Sequence, residues 1–80
     1  MKKRIVVLGA GLSGLGAAIL AKKKGYDVFV SDIKIICEET KKHFLENEID
    51  WEEEKHTLNE ILIADEVIKS PGIPDNIKLI

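Results

Sequence analysis

This sequence holds a single cysteine, Cys37, in 80 residues. That rules out an internal disulfide and makes a reducing compartment, the cytoplasm, the expected setting. It has no excess of positive charge: 12 Lys and Arg against 14 Asp and Glu leave a net charge of −2. Nothing therefore points to a nucleic acid or an anionic membrane surface as partner. No apolar run approaches the roughly 18 residues of a transmembrane helix. The basic start at Met1–Arg4, followed by Ile5–Leu8, imitates the opening of a signal peptide. Glycines from Gly9 onward break that apolar run, and no small-residue cleavage site follows. Cys37, His43 and His56 lack the spacing of a metal site. The six glycines, at positions 9, 11, 14, 16, 25 and 72, leave no G-x-x-x-x-G-K-S/T loop of the kind that holds ATP phosphates. What remains is an ordinary globular composition, 45% apolar and 32% charged, for one small domain.

What is present centres on residues 5 to 16. Ile5–Leu8 is apolar and mostly β-branched, as a strand buried on both faces requires. Gly9, Gly11 and Gly14 follow in G-x-G-x-x-G spacing and lead into an apolar helical pattern. Each glycine has a mechanical reason. Gly9 permits the sharp turn out of the strand, Gly11 allows a phosphate close to its backbone, and Gly14 lets the helix pack against the strand. The helix then points its unpaired N–H groups and positive dipole end over the turn. The stretch predicts an anion site, best filled by a nucleotide diphosphate.

The rest of the chain predicts a small α/β domain. Lys2–Leu8 forms the first strand. Ser13 caps or opens the first helix, which runs to about Lys24 with Gly25 as a left-handed stop. The lysines at 22 to 24 suit the negative end of that helix. Asp27–Ser31 is the second strand, and Asp32 at its carboxyl end accepts hydrogen bonds from a ribose or a nucleobase, or caps the next helix. Cys37–Glu48 is a second helix with Cys37, Thr40, Phe44 and Leu45 inward. Ile49–Trp51 is a third strand, and Glu52, Glu53 and Glu54 read as a solvated loop. Thr57–Ile63 is a short helix with Thr57 and Glu60 as a capping box.

Asp65–Lys69 makes the fourth strand, ending in a type II turn at Ser70, Pro71, Gly72 and Ile73. Right-handed crossovers put the strands in the order 3-2-1-4, a Rossmann-like three-layer arrangement. The glycine turn, Asp32 and the Ser70–Gly72 turn then share one sheet edge. The fourth strand would be an unpaired edge with apolar surface uncovered beside it, which predicts self-association or only marginal stability of the chain.

Val6–Gly16, Val30–Lys34 and Ala64–Pro74 together resemble the N-terminal domain of the Mur ligases, and among these the D-glutamate-adding branch. Ser-Pro-Gly-Ile-Pro after Ala-Asp-x-Val-Ile is the most specific part of the likeness, which spans almost the whole chain. The resemblance implies a domain that binds the UDP part of a UDP-sugar-peptide substrate, UDP-N-acetylmuramoyl-L-alanine. By position, Leu12 and Ser13 would lie against the diphosphate. Asp32, the Ile33 backbone and the Lys34 side chain would contact uracil and ribose. Ser70, Pro71 and Gly72 would wall the uridine from the far side. Ile33 and Lys34 depart from the hydroxyl residue and arginine frequent in the family, which weakens the side-chain part of that contact. The family's chemistry is ATP- and Mg-dependent amide formation in cell-wall peptidoglycan synthesis. This chain carries none of that machinery, so it reads as a non-catalytic N-terminal portion of a larger ligase. The alternative is an NAD(P)-binding module of a dehydrogenase or of a ligand-gated regulator. It explains the glycines and Asp32 equally well and leaves Ser70–Pro74 as an ordinary turn.

Overall fold

A computed structural model describes residues 3–69 of the chain. Seven elements follow in order: β1 (Arg4–Leu8), α1 (Leu12–Lys23), β2 (Asp27–Ser31), α2 (Glu38–Glu46), β3 (Asp50–Glu52), α3 (Leu58–Leu62) and β4 (Glu66–Lys69). The strands form one parallel sheet in the order β3-β2-β1-β4. This is the Rossmann-like α/β arrangement the sequence predicts. β1 pairs with both β2 and β4, so it needs apolar side chains on both faces, and Val6 and Val7 are fully buried.

Alternation along the strands sorts the core into two layers. Ile5, Val7, Val28 and Val30 pack with Ala18 and Ala21 of α1 and Phe44 of α2. Val6, Leu8 and Phe29 pack with Ile61 of α3 on the opposite face. The alanines let α1 lie close to the sheet. Phe44 meets Trp51 of β3 at a ring separation of 5.8 Å, a contact worth about 0.5–1.5 kcal/mol beyond its buried area. At the amino edge, the Arg4 guanidinium donates to Asp27 at 2.9 Å and to Glu60 at 3.3 Å. It also sits 5.4 Å over the Phe29 ring.

Both longer helices end in a Schellman motif. For α1, the Gly25 N–H donates to the Lys22 carbonyl and the Tyr26 N–H to the Ala21 carbonyl, with Gly25 at φ +88°. The expected stop at Gly25 is therefore present. For α2, the Glu48 and Ile49 N–H groups bond back to Leu45 and Phe44, and Glu48 takes φ +57°. That helix ends at Glu46 rather than continuing to Glu48.

Three further expectations need correction. Leu45 is 67% exposed and Cys37 is exposed, so only Thr40 and Phe44 form the inner face of α2. One helical turn separates Thr40 from Phe44, and Leu45 lies about 100° further round. Thr57 caps α3 without a side-chain bond to the helix, and Glu60 goes to Arg4, so no capping box forms. Glu52 is 9% exposed rather than solvated. Among the described residues no helix is long and apolar enough to cross a membrane.

Candidate functional site

The strand register aligns four carboxyl ends. Leu8 of β1 pairs with Ser31 of β2 and Lys69 of β4, and Ser31 pairs with Glu52 of β3. Chain leaving any of these residues emerges on the same sheet edge. Gly9 and Asp32 therefore stand side by side, one residue past paired positions.

The glycine turn has the geometry its spacing predicts. Gly9 takes φ +99°, which an L side chain rarely tolerates. Its N–H continues the ladder by donating to the Ser31 carbonyl at 2.8 Å. Gly14 is buried, and a Cβ there would fall 1.9 Å from the Gly9 carbonyl oxygen. That contact is the close helix-to-strand approach. Gly11 is exposed, and a Cβ there would meet nothing within 4 Å. The backbone at Gly11 is therefore open to a close approach from outside.

α1 starts from Gly11, whose carbonyl accepts the first helical bond from Leu15 at 2.8 Å. Among the described residues no side-chain cap bond is made at this end, and its first turn carries no acidic residue. Ser13 sits exposed inside the first turn rather than at the cap. The helix thus presents uncapped N–H groups and a positive dipole end, whereas α2 carries Glu38 and Glu39 and α3 carries Glu60 in their first turns. Leu12 is the first residue of the helix.

Asp32 is tied into this edge. One carboxylate oxygen accepts the Ala10 N–H at 2.8 Å, and the other accepts the Lys34 N–H at 2.9 Å. The side chain takes over where the backbone ladder stops and fastens the glycine turn to the loop after β2. It does not cap α2, which begins six residues later behind Cys37. A carboxylate has about four acceptor positions, and the described residues fill two of them. Ile33 is 60% exposed, and Lys34 is exposed beside it.

Ser70, Pro71 and Gly72 lie outside the described residues. Lys69 immediately before them pairs with Leu8 at this same edge.

Sequence reasoning missed a polar cluster beneath the edge. Glu52 accepts from the Ser31 hydroxyl at 2.8 Å, from the Thr57 N–H at 2.7 Å and from the Thr57 hydroxyl. His56 Nδ1 also bonds the Ser31 hydroxyl. Burial alone would raise the Glu52 carboxyl, but the hydrogen bonds from Thr57 and Ser31 hold it below its ordinary value. A signal existed. Alternation along β2 puts Ser31 on the same buried face as Phe29, and the pairing of Ser31 with Glu52 points to its acceptor. Among the described residues no group of three or more His, Cys, Asp and Glu could hold a metal.

Comparison with known proteins bears on this arrangement. A family model described as the MurD N-terminal domain matches residues 4–78. A UDP-N-acetylmuramoylalanine–D-glutamate ligase of Christiangramia forsetii is 56% identical over 80 residues, covering 100% of this chain and 18% of that protein. The ligase of the same name from Bacteroides fragilis is 59% identical over 78 residues, 98% of this chain and 18% of the relative. One from Pelodictyon phaeoclathratiforme is 40% identical over 78 residues, with 98% and 17% covered. The chain thus spans under a fifth of the length of these relatives.

Proposed function

The chain belongs to the MurD N-terminal domain family, and from that premise we propose that it holds the UDP portion of UDP-N-acetylmuramoyl-L-alanine for a D-glutamate-adding ligase. The observation that carries this reading is the shared edge. Open backbone at Gly11, the uncapped start of α1 and the Asp32 carboxylate meet there. The diphosphate would rest on N–H groups of the turn from Gly9 through Leu12, Ser13 and Gly14, where its charge meets the positive helix end. Asp32 would accept from uracil or ribose, with the Ile33 backbone and the Lys34 ammonium beside it. Ser70, Pro71 and Gly72 would close the uridine from the β4 side.

Amide formation with ATP and Mg belongs in this reading to the rest of a longer ligase, outside these 80 residues. The domain's work is positional. Holding the UDP end fixes where the distant sugar-peptide carboxylate is presented. A cytoplasmic setting fits the substrate and the lone Cys37. On its own the chain would also self-associate. β4 is one of the sheet's two outer strands among the described residues, and Val67 and Ile63 are 40% and 62% exposed. A single monomeric species across a hundredfold concentration range in sedimentation would refute that part.

Calorimetric titration of the 80-residue chain with UDP, UDP-N-acetylmuramoyl-L-alanine and NAD tests the main reading. Both uridine compounds should bind more tightly than NAD. Tighter NAD binding would favour the dinucleotide alternative and overturn the proposal.

A further inference from the structure

Glu52 is a carboxylate buried to 9% exposure that takes no part in the site just described. Burying it has a desolvation cost, and an apolar side chain would fill the same volume without one. What an apolar side chain lacks is three acceptor bonds. Through Ser31 and Thr57, Glu52 joins the end of β2 to the start of α3. The Ser31 hydroxyl has one proton. Donated to the Glu52 carboxylate at 2.8 Å rather than to the Lys55 carbonyl at 3.1 Å, it leaves the oxygen to accept from His56 Nδ1–H, which brings His56 into the same tie.

The segment so anchored, residues 53–57, is laced to the loop that carries Asp32. The Asp32 N–H donates to the Glu52 carbonyl at 3.1 Å, and the Lys55 N–H donates to the Asp32 carbonyl at 3.2 Å. The Glu54 N–H donates to the Lys34 carbonyl at 3.3 Å, and the Ile36 N–H donates to the Glu53 carboxylate at 2.9 Å. The loop from Asp32 to Lys34 thus rests on the β3–α3 segment. The glycine turn does not; it meets this network through the Ala10 N–H on the Asp32 carboxylate and the Gly9 N–H on the Ser31 carbonyl, and it makes no described bond to residues 53–57.

We propose that Glu52, with Ser31 and Thr57, is a positioning residue for the nucleoside half of the site. It sets the Asp32–Lys34 loop without touching ligand, and it leaves the diphosphate half largely independent. This rests on the uridine-diphosphate reading above. The consequence is a split between two ligands that share a diphosphate. Removing the Glu52 carboxylate takes the acceptor from the Thr57 N–H and hydroxyl and leaves the Ser31 hydroxyl with the Lys55 carbonyl and His56, which loosens residues 53–57 and lets the Asp32 loop drift. UDP loses its nucleoside contacts, whereas inorganic pyrophosphate keeps its seat on the glycine turn.

The test compares Glu52→Ala and Glu52→Gln in the 80-residue chain, with UDP and inorganic pyrophosphate as probes. Glutamine can accept from Ser31 and the Thr57 N–H and donate to the Thr57 hydroxyl, so it should restore the tie. Glu52→Ala should weaken UDP about tenfold, the equivalent of roughly one well-made hydrogen bond, and leave pyrophosphate within about twofold. Glu52→Gln should bind both like the parent. UDP affinity unchanged in Glu52→Ala overturns the proposal, as does equal loss of UDP and pyrophosphate. Should Glu52→Ala not fold, Thr57→Val against Thr57→Ser asks the same question at a half-buried position. There the split should appear in Val and vanish in Ser. A parent chain that binds pyrophosphate but favours NAD over UDP refutes the underlying function instead, and is told apart by that preference.

Discussion

Gly14→Ala adds one methyl group, and the structure states what it meets. The new Cβ would lie 1.9 Å from the Gly9 carbonyl oxygen and 2.9 Å from its carbon, whereas ordinary contact starts at 3.4 Å. The obstacle is backbone, so no side chain can rotate away. α1 must retreat from β1 by about 1.5 Å or the turn must reshape, and Gly9 is already held at φ +99°. A shift of that size separates Ala18 and Ala21 from the Val7 and Val30 layer. Overpacking in a close-packed core costs about 1–3 kcal/mol, and this case belongs at the upper end. For a domain this small, about 2–3 kcal/mol lowers the melting temperature by roughly 10–20 °C. Gly16→Ala is the internal control. It sits in the same helix with nothing within 4 Å of its Cβ, so it should stabilise by about 0.5–1 kcal/mol through helix propensity alone. Thermal and urea unfolding of the two variants should move in opposite directions. A Gly14→Ala chain that melts within about 2 °C of the parent would refute the close-approach reasoning.

Other substitutions probe separate parts. Gly11→Val enters open space and should leave the melting temperature within a few degrees, yet abolish UDP binding in calorimetry, because its side chain takes the phosphate's place. Asp32→Ala should weaken UDP by about 1.5–3 kcal/mol, and pyrophosphate less, since it removes a charged acceptor for the nucleoside; equal losses would contradict that role. Glu48→Gly should raise the urea midpoint by the equivalent of about 0.5–1 kcal/mol, because Glu48 holds the left-handed position of the α2 stop. Acid should unfold the chain through Glu52 and Glu53. Both carboxyls are held below their ordinary value of 4.5, Glu52 by Thr57 and Ser31 against burial, and Glu53 mainly by Lys41. Their contribution is present above that value and lost as pH falls through the lower folded one. A Glu52→Gln chain should therefore lose less stability than the parent on acidification.

The sheet was readable because strands buried on both faces spell themselves as apolar runs. Ile5–Leu8 and Asp27–Ser31 could hardly be anything else, and the glycine spacing then set the direction of the first crossover. Asp32 was readable for its edge but not for its partner. That its carboxylate would bind the Ala10 N–H depends on where the ladder ends, which no local pattern records. Thr57 and Glu60 mimicked a capping box, yet each found a stronger tertiary partner, Glu52 and Arg4. The acidic run at Glu52–Glu54 looked uniformly solvated, and only the inward parity of β3 separates Glu52 from its neighbours. Local propensity is blind to such choices because the competing partner lies on another strand or helix.

The central claim is that the glycine turn and the Asp32 loop form one seat for a uridine diphosphate. Amide chemical-shift mapping of the isotope-labelled chain during a UDP titration tests it most directly. The largest changes should fall on Ala10–Gly14 and Ile33–Lys34, with the N–H groups at the far end of α1 unmoved. Saturable shifts centred on α2 or on the amino edge around Arg4, with the glycine turn silent, would contradict the account.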